Sequence, residues 1–170
     1  MRQYRGVRYL GYTIEIVVLF VLQETPGLFP ELSGARPVAV IPAVLCIAMF
    51  EKETPALFFG LLGGLLIDFG AGSVLGYHGL LMAAACFAVS LMAANLFQTN
   101  FLTAFLTCTV AGASMTVLEW VFFFVLYGYA YPAYALRAHY LPIYFYTLAL
   151  TPLAYYFNRA LALQLRSKED

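Results

Sequence analysis

Apolar residues occur along this chain in six long runs separated by short polar, glycine or proline-containing stretches. The runs are about Leu10–Leu28, Pro37–Phe50, Thr54–Phe69, Gly76–Phe97, Phe101–Tyr127 and Leu141–Leu163. A helix rises about 1.5 Å per residue, so roughly 20 apolar residues cross the roughly 30 Å hydrocarbon layer of a bilayer. The pattern predicts an all-α polytopic membrane protein, a single membrane domain over residues 1–170 with no soluble domain.

The second and third runs are short, and Glu51, Lys52 and Glu53 separate them, so either run could be re-entrant. Basic side chains favour the cytoplasmic side of a membrane. With six spans and both ends in the cytoplasm, the basic residues inside are Arg2, Arg5, Arg8, Lys52, Arg159, Arg166 and Lys168, and those outside are Arg36 and Arg137. If the second run does not cross, this bias disappears. We therefore expect six spans with the N-terminus and C-terminus inside, and a first span that is retained rather than cleaved as a signal peptide.

Composition agrees with this interpretation, since 63% of the 170 residues are hydrophobic and 11% are charged. A soluble domain carries about a quarter charged residues. The formal net charge of zero gives no indication of a nucleic-acid partner. Cys46, Cys86 and Cys108 lie inside apolar runs without the spacing of a metal site or redox pair, so we expect three small buried side chains and no metal or cofactor.

Prolines and tyrosines mark the region before the sixth run. Pro132 and Pro142 argue against a long helix through residues 127–142, and Pro152 is expected to kink the sixth helix. The external loop holds many tyrosines, which favour the headgroup zone of a membrane: Tyr127, Tyr129, Tyr131, Tyr134 and Tyr140, followed by Tyr144 and Tyr146. They predict an interfacial belt, and a binding groove is the alternative.

Small residues recur every four positions in the third run and beyond it: Gly60, Gly64, Asp68, Gly72 and Gly76. On a helix, Gly60, Gly64 and Asp68 share one face, and glycines there let another helix approach closely. We expect all five positions to serve helix packing or partner binding. The Asp68 carboxylate either caps the fourth helix, accepts hydrogen bonds from amides of Gly70–Gly72, or contacts a partner protein or a substrate.

Four further polar residues fall inside the predicted spans. Glu15 and Glu119 have no cation one helical turn away, so each is expected to be neutral, paired across helices or facing a polar cavity. Asn95 and Asn158 are expected to form hydrogen bonds between helices. The sequence contains no zinc-binding HExxH, no phosphate-binding P-loop and no GxSxG nucleophile motif, which argues against an enzyme.

The order of these features resembles the MreD family, the small membrane subunit of the bacterial rod-shape complex. The resemblance rests on Leu22-Gln23-Glu24-Thr25, then Gly34-Ala35-Arg36-Pro37, then Pro55, then the stretch from Gly60 through Asp68 to Gly72, Leu75-Gly76 and Leu80. Its specific part covers about residues 22–80.

The resemblance implies a non-enzymatic, multi-pass protein of the bacterial cell membrane that takes part in the peptidoglycan elongation machinery, or elongasome. Its implied partners are a bitopic MreC-like protein, MreB, RodA and a class B penicillin-binding protein. We expect Gly60 and Gly64 to let a partner helix approach, with Asp68 fixing its register.

The alternative is the substrate-binding S-component of an energy-coupling-factor vitamin transporter, which also has six spans and a glycine-rich third segment. That function requires an outer pocket with convergent polar groups, for which Asp68, His78, Arg137, His139 and the loop tyrosines are candidates. Against it, residues Tyr12 to Leu22 of the first span are bulky and lack the small-residue motif expected for docking a coupling subunit.

Overall fold

A computed structural model describes residues 2–30, 35–72, 74–95 and 99–166, and this part of the chain is all-helical. The helices are α1 (Arg2–Glu24), α2 (Val40–Phe50), α3 (Glu53–Ala71), α4 (Tyr77–Asn95), α5 (Phe101–Trp120), α6 (Pro132–Ala135), α7 (Leu141–Ala149) and α8 (Thr151–Arg166). Two π-helical turns, Val121–Val125 and Leu136–Tyr140, extend α5 and join α6 to α7. The all-α prediction is confirmed.

Four stretches among the described residues are long and apolar enough to cross a membrane: Gly6–Glu24, Glu53–Ala71, Tyr77–Asn95 and Phe101–Val125. They correspond to the first, third, fourth and fifth predicted runs. The end of the fourth run at Phe97 lies outside the described residues, as does Lys168 near the C-terminus.

The second run forms the short apolar helix α2, which lies at the centre of the bundle. Ten of its 11 residues are buried, because α1, α3, α4, α5, α7 and α8 all contact it. A helix enclosed by protein on every side does not have to match the lipid thickness along its own length. Its apolar residues are held by close packing, the main source of helix association inside a membrane.

Consecutive helices run up and down. The N–H of Val40 at the start of α2 donates to the Gln23 side chain near the end of α1, 3.4 Å away. At the other end of α2, the Glu51 carboxylate lies 2.7 Å from Nε of Arg8, near the start of α1. The hydroxyl of Ser90, late in α4, donates to the Glu51 carbonyl at 2.7 Å. These contacts make α1 antiparallel to α2 and bring the second half of α4 back to the level of Arg8.

The region before the sixth run differs from the prediction. Helical backbone begins at Pro132, with Tyr131 before it in the left-handed region at φ 59°, and continues through Leu136–Tyr140 into α7. No helix runs through all of residues 127–142, as expected, because the backbone between Leu126 and Pro132 is not helical; the interruption expected at Pro142 is absent. Pro132 occupies a first-turn position that requires no N–H donor, and the π-helical turn directly precedes the turn that contains Pro142. The predicted interruption at Pro152 is present, since α7 ends at Ala149 and α8 begins at Thr151.

Candidate functional site

The face of α3 that carries Gly60 and Gly64 packs against α4 of the same chain. A Cβ atom at Gly60 would lie 2.6 Å from the Met82 carbonyl oxygen, and one at Gly64 would lie 2.6 Å from Cα of Gly79. Both glycines are buried. The expected close approach of a second helix therefore occurs, but the prediction that a partner protein uses this face is wrong, because α4 occupies it.

Asp68 caps α4. Its carboxylate accepts hydrogen bonds from the N–H groups of Gly76 (2.8 Å), His78 (3.1 Å) and Gly79 (3.2 Å), and contacts Nδ1 of His78 at 2.7 Å. The side chain is 1% exposed. A carboxylate at a helix N-terminus satisfies backbone N–H groups that have no partner within the helix and interacts favourably with the helix dipole. Of the roles left open by the sequence, the structure supports capping of the fourth helix, with donors from Gly76 and the first turn of α4 rather than from Gly70–Gly72.

Gly72 and Gly76 shape the turn that carries Asp68 to these donors. Gly72 ends α3 in the left-handed conformation at φ 59° and its N–H donates to the Asp68 carbonyl, and Gly76 has φ 97°. A Cβ at either position would have no atom within 4 Å. Both glycines are therefore required by backbone conformation and do not extend the packing face, which corrects the interpretation of all five positions as one contact surface.

His78 connects Asp68 to Glu119. With Nδ1 facing Asp68, its Nε2 lies 3.8 Å from Oε2 of Glu119 on α5, which is too long for a direct hydrogen bond. The sequence left open whether Glu119 is neutral, paired across helices or facing a polar cavity. In the structure it faces a histidine on another helix. Because residues 78 and 119 are distant in the chain, no local signal identifies this pair.

His78 and Glu119 line a cavity of about 160 Å³ between α2, α3, α5 and α7, called here the histidine cavity. Its other polar residues are His139, Tyr140, Tyr144, Thr116, Thr147 and Thr151. The tyrosines around the predicted external loop, before the sixth run, lie in two environments. Tyr127, Tyr129, Tyr131 and Tyr134 are exposed, as an interfacial belt requires, whereas Tyr140 and Tyr144 line the cavity.

Arg8 and Glu51 form a buried ion pair that sequence reasoning missed. The guanidinium approaches both carboxylate oxygens, through Nε at 2.7 Å and Nη2 at 3.2 Å, and both side chains are about 5% exposed or less. In the sequence, Arg8 was used only as a basic residue that indicates the cytoplasmic side. The sequence did contain a signal for the ion pair: Lys52 was expected on the same side of the membrane as Arg8, so its neighbour Glu51 could be expected close to Arg8.

Glu15 and Asn158 join α1 to α8. Nδ2 of Asn158 donates to Oε1 of Glu15 at 2.8 Å and to the Ala154 carbonyl at 2.9 Å. The prediction of an interhelical hydrogen bond is confirmed for Asn158. It is wrong for Asn95, whose exposed side chain donates to the Leu91 carbonyl of its own helix at 3.0 Å.

Two apolar grooves open on the outer surface of the bundle. The α1/α8 groove has a volume of about 500 Å³ and includes Gly11, Glu15, Val18 and Phe157 in its lining. The α4/α5 groove has a volume of about 460 Å³ and includes Ala85, Ala88, Leu106 and Val110. In a membrane such grooves face lipid or another protein, so they are the surfaces at which a lateral partner can pack.

The three cysteines are buried and not in disulfides, as expected. Within the described ranges, no three His, Cys, Asp or Glu side chains come together in a group that could hold a metal ion.

Comparison with known proteins finds no family model, no curated protein and no solved structure that matches this chain.

Proposed function

We propose that this chain is a non-enzymatic scaffold of the bacterial cell membrane that binds other membrane proteins of the cell-shape and peptidoglycan elongation machinery. The observation that carries this proposal is the pair of apolar grooves on an otherwise closely packed bundle, about 500 and 460 Å³ in volume. In a membrane a groove of this kind is filled by lipid tails or by a helix of another protein, and the small residues in both linings favour close helix packing. The resemblance to the MreD family over about residues 22–80 supplies the identity of the machinery.

The proposed topology has six spans with both termini in the cytoplasm. The spans are α1, α2, α3, α4, α5 with its π-helical extension, and the combined α6–α8 segment. The antiparallel contacts between α1 and α2 support a crossing second span, and its central position explains why 11 residues suffice. Contacts of Gly11 with Leu161 and of Glu15 with Asn158 pair the start of α1 with the end of α8, which supports two termini on one side.

The charge distribution supports the cytoplasmic location of that side. In the proposed topology Arg8, Lys52 and Arg159 fall on the cytoplasmic side, whereas Arg36 and Arg137 fall on the other, as basic side chains prefer. Reporter fusions test the orientation, with a fluorescent protein that matures only in the cytoplasm and a phosphatase that is active only outside. We expect fluorescence from both terminal fusions, and phosphatase activity from a fusion after Gly128 in the loop between α5 and α6. Termini on opposite sides would contradict the six-span topology.

Partner binding is tested by mild-detergent purification of a tagged chain from its native membrane. We expect stoichiometric recovery of a bitopic MreC-like protein, with RodA and the class B penicillin-binding protein recovered in smaller amounts and MreB retained at the membrane. An unrelated six-span protein with the same tag provides the control. A monodisperse chain that brings down none of these proteins would contradict the scaffold function.

The vitamin-transporter alternative is favoured by one observation, the polar lining of the histidine cavity. Its size argues the other way. Ligand pockets occupy about 300–1,000 Å³, whereas this cavity is about 160 Å³, near the roughly 150 Å³ that holds a benzene molecule. Asp68, offered as a substrate contact, is saturated by α4. Calorimetry with a panel of vitamins separates the two functions, since an S-component binds one of them tightly and a scaffold binds none.

A further inference from the structure

The hydrogen bonds of Asp68 determine which nitrogen of His78 carries a proton. Nδ1 of His78 lies 2.7 Å from Oδ1 of Asp68, and the same carboxylate accepts the backbone N–H groups of Gly76, His78 and Gly79. Because the carboxylate acts as an acceptor in this cap, Nδ1 carries the proton and donates to it. In the neutral imidazole the other nitrogen, Nε2, is then an acceptor.

Nε2 of His78 and the Glu119 carboxylate face each other in the histidine cavity without a hydrogen bond. They lie 3.8 Å apart, and the His78 side chain is only 10% exposed. Among the described residues, none donates a hydrogen bond to Nε2 or to the Glu119 carboxylate. Both groups are acceptors when the imidazole is neutral. Two acceptors at this distance repel each other unless a donor lies beside both.

One ammonium group has the geometry and the charge to satisfy both acceptors. A nitrogen that donates two hydrogen bonds of about 2.9 Å holds its acceptors about 4–5 Å apart. The distance of 3.8 Å between Nε2 of His78 and Oε2 of Glu119 is close to that separation. The rings of Tyr140 and Tyr144 also line the cavity, and aromatic faces attract cations.

The rest of the cavity determines the size of the ligand and its path of entry. The volume of about 160 Å³ is near the roughly 150 Å³ that holds benzene, so about six non-hydrogen atoms fit. Apolar side chains, including Ile41, Ile67 and Ile143, form part of the wall. Ala71 and His139 belong to the lining and are exposed, so the cavity can be reached from outside the bundle.

We propose that the histidine cavity binds a small alkylammonium ion. The ammonium group donates to Nε2 of His78 and to the Glu119 carboxylate, and a compact alkyl body packs against Ile41 and Ile67. In the proposed topology this end of the bundle faces the outside of the cell, so the ligand enters from there. The site goes beyond the proposed scaffold function and does not depend on it.

Nuclear magnetic resonance of the full chain in mild detergent tests the proposal directly. The chain has two histidines and both line the cavity, so ¹⁵N-histidine labelling reports on this site alone. At neutral pH we expect the free protein to show an unprotonated Nε2 on His78, whose signal shifts saturably with isobutylamine. A protonated Nε2 that does not respond to isobutylamine would mean that a histidine–glutamate ion pair closes the site, and would overturn the proposal.

Three related compounds test the charge and the size of the ligand in the unmodified protein. Isobutanol and isobutyrate have a similar shape to isobutylamine but are neutral and anionic, and we expect each to bind at least about tenfold more weakly, as for loss of a hydrogen bond to a charged group. 1-Adamantylamine is too large for the cavity and should not shift the His78 signal. Equal binding of isobutanol, or of 1-adamantylamine, would refute a cation site in this cavity.

Glu119→Gln tests the role of the carboxylate, because it removes the charge and keeps the size of the side chain. We expect isobutylamine to bind at least about tenfold more weakly to this variant. Glu53→Gln, at the opposite end of α3 from the cavity, is the matched control and should bind as the parent protein does. Size-exclusion chromatography verifies that both variants are folded. An unchanged affinity in folded Glu119→Gln would refute the site.

Discussion

The packing of α3 on α4 makes a quantitative prediction for Gly64→Ala. The added Cβ would lie 2.6 Å from Cα of Gly79 and also against the His78 carbonyl oxygen, whereas ordinary contact begins at 3.4 Å. The difference between 3.4 and 2.6 Å requires the two helices to separate by 0.8 Å. These neighbours are backbone atoms, so a side-chain rotation cannot relieve the overlap.

The cost follows from what the separation breaks. A gap of roughly 0.5–1 Å loses about a quarter to a half of the attraction at each contact, and overpacking in cores costs about 1–3 kcal/mol. The hydrogen bonds from the N–H groups of His78 and Gly79 to Asp68 are already 3.1 and 3.2 Å long, and the same displacement stretches them. We therefore expect Gly64→Ala to lower stability by about 3 kcal/mol, which corresponds to a fall in Tm of about 6–12 °C.

The assay is thermal unfolding of the purified protein in mild detergent, followed by fluorescence-detected size-exclusion chromatography. Gly6→Ala in α1 is the control, because a Cβ there meets no atom within 4 Å. Alanine favours a helix over glycine by about 1 kcal/mol, so the Tm of this control should stay the same or rise. A Tm for Gly64→Ala within 2 °C of the parent protein, on the order of 1 kcal/mol or less, would refute the packing argument.

Three further predictions use the same assay or a thiol label. Asp68→Ala should lower the Tm by several degrees because it removes the acceptor of the α4 cap, worth at least about 2 kcal/mol, while Asp68→Asn should lose less since its amide oxygen still accepts. Arg8→Met and Glu51→Leu should each destabilise by about 3–5 kcal/mol, with the double variant close to the parent protein; additive losses would contradict a buried pair. The three buried cysteines should resist maleimide until the protein is denatured, and fast labelling of the native protein would count against the packed core.

The positions of the helices could be predicted because long apolar runs leave few alternatives. The third and fourth predicted runs agree with α3 and α4 to within a few residues over the described chain, and the fifth agrees with α5 together with its π-helical extension to Val125. The exceptions have local causes. Helix α1 begins at Arg2 because basic residues at the membrane surface do not interrupt a helix, and the helix before Leu141 was missed because a π-helical turn separates Pro132 from Pro142.

The partner of the glycine face could not be identified from its spacing alone. Glycines four residues apart on a helix indicate that some backbone approaches closely, without indicating which one. A reciprocal signal was nevertheless present. Gly79, Ala83 and Cys86 recur at helical spacing on the following helix, and the side chains or backbone of all three lie against α3 in the structure. Matching small faces on consecutive segments therefore favour an internal hairpin over an external docking site.

The buried carboxylates differ in how fully the described residues satisfy them. Glu51 is matched by Arg8, and Asp68 is matched by three backbone N–H groups and His78. Asn158 donates to one oxygen of Glu15, and the other oxygen has no hydrogen-bond partner among the described residues. Substitutions at Glu51 and Asp68 should therefore change unfolding most, because each leaves several buried polar groups of the same chain without a partner.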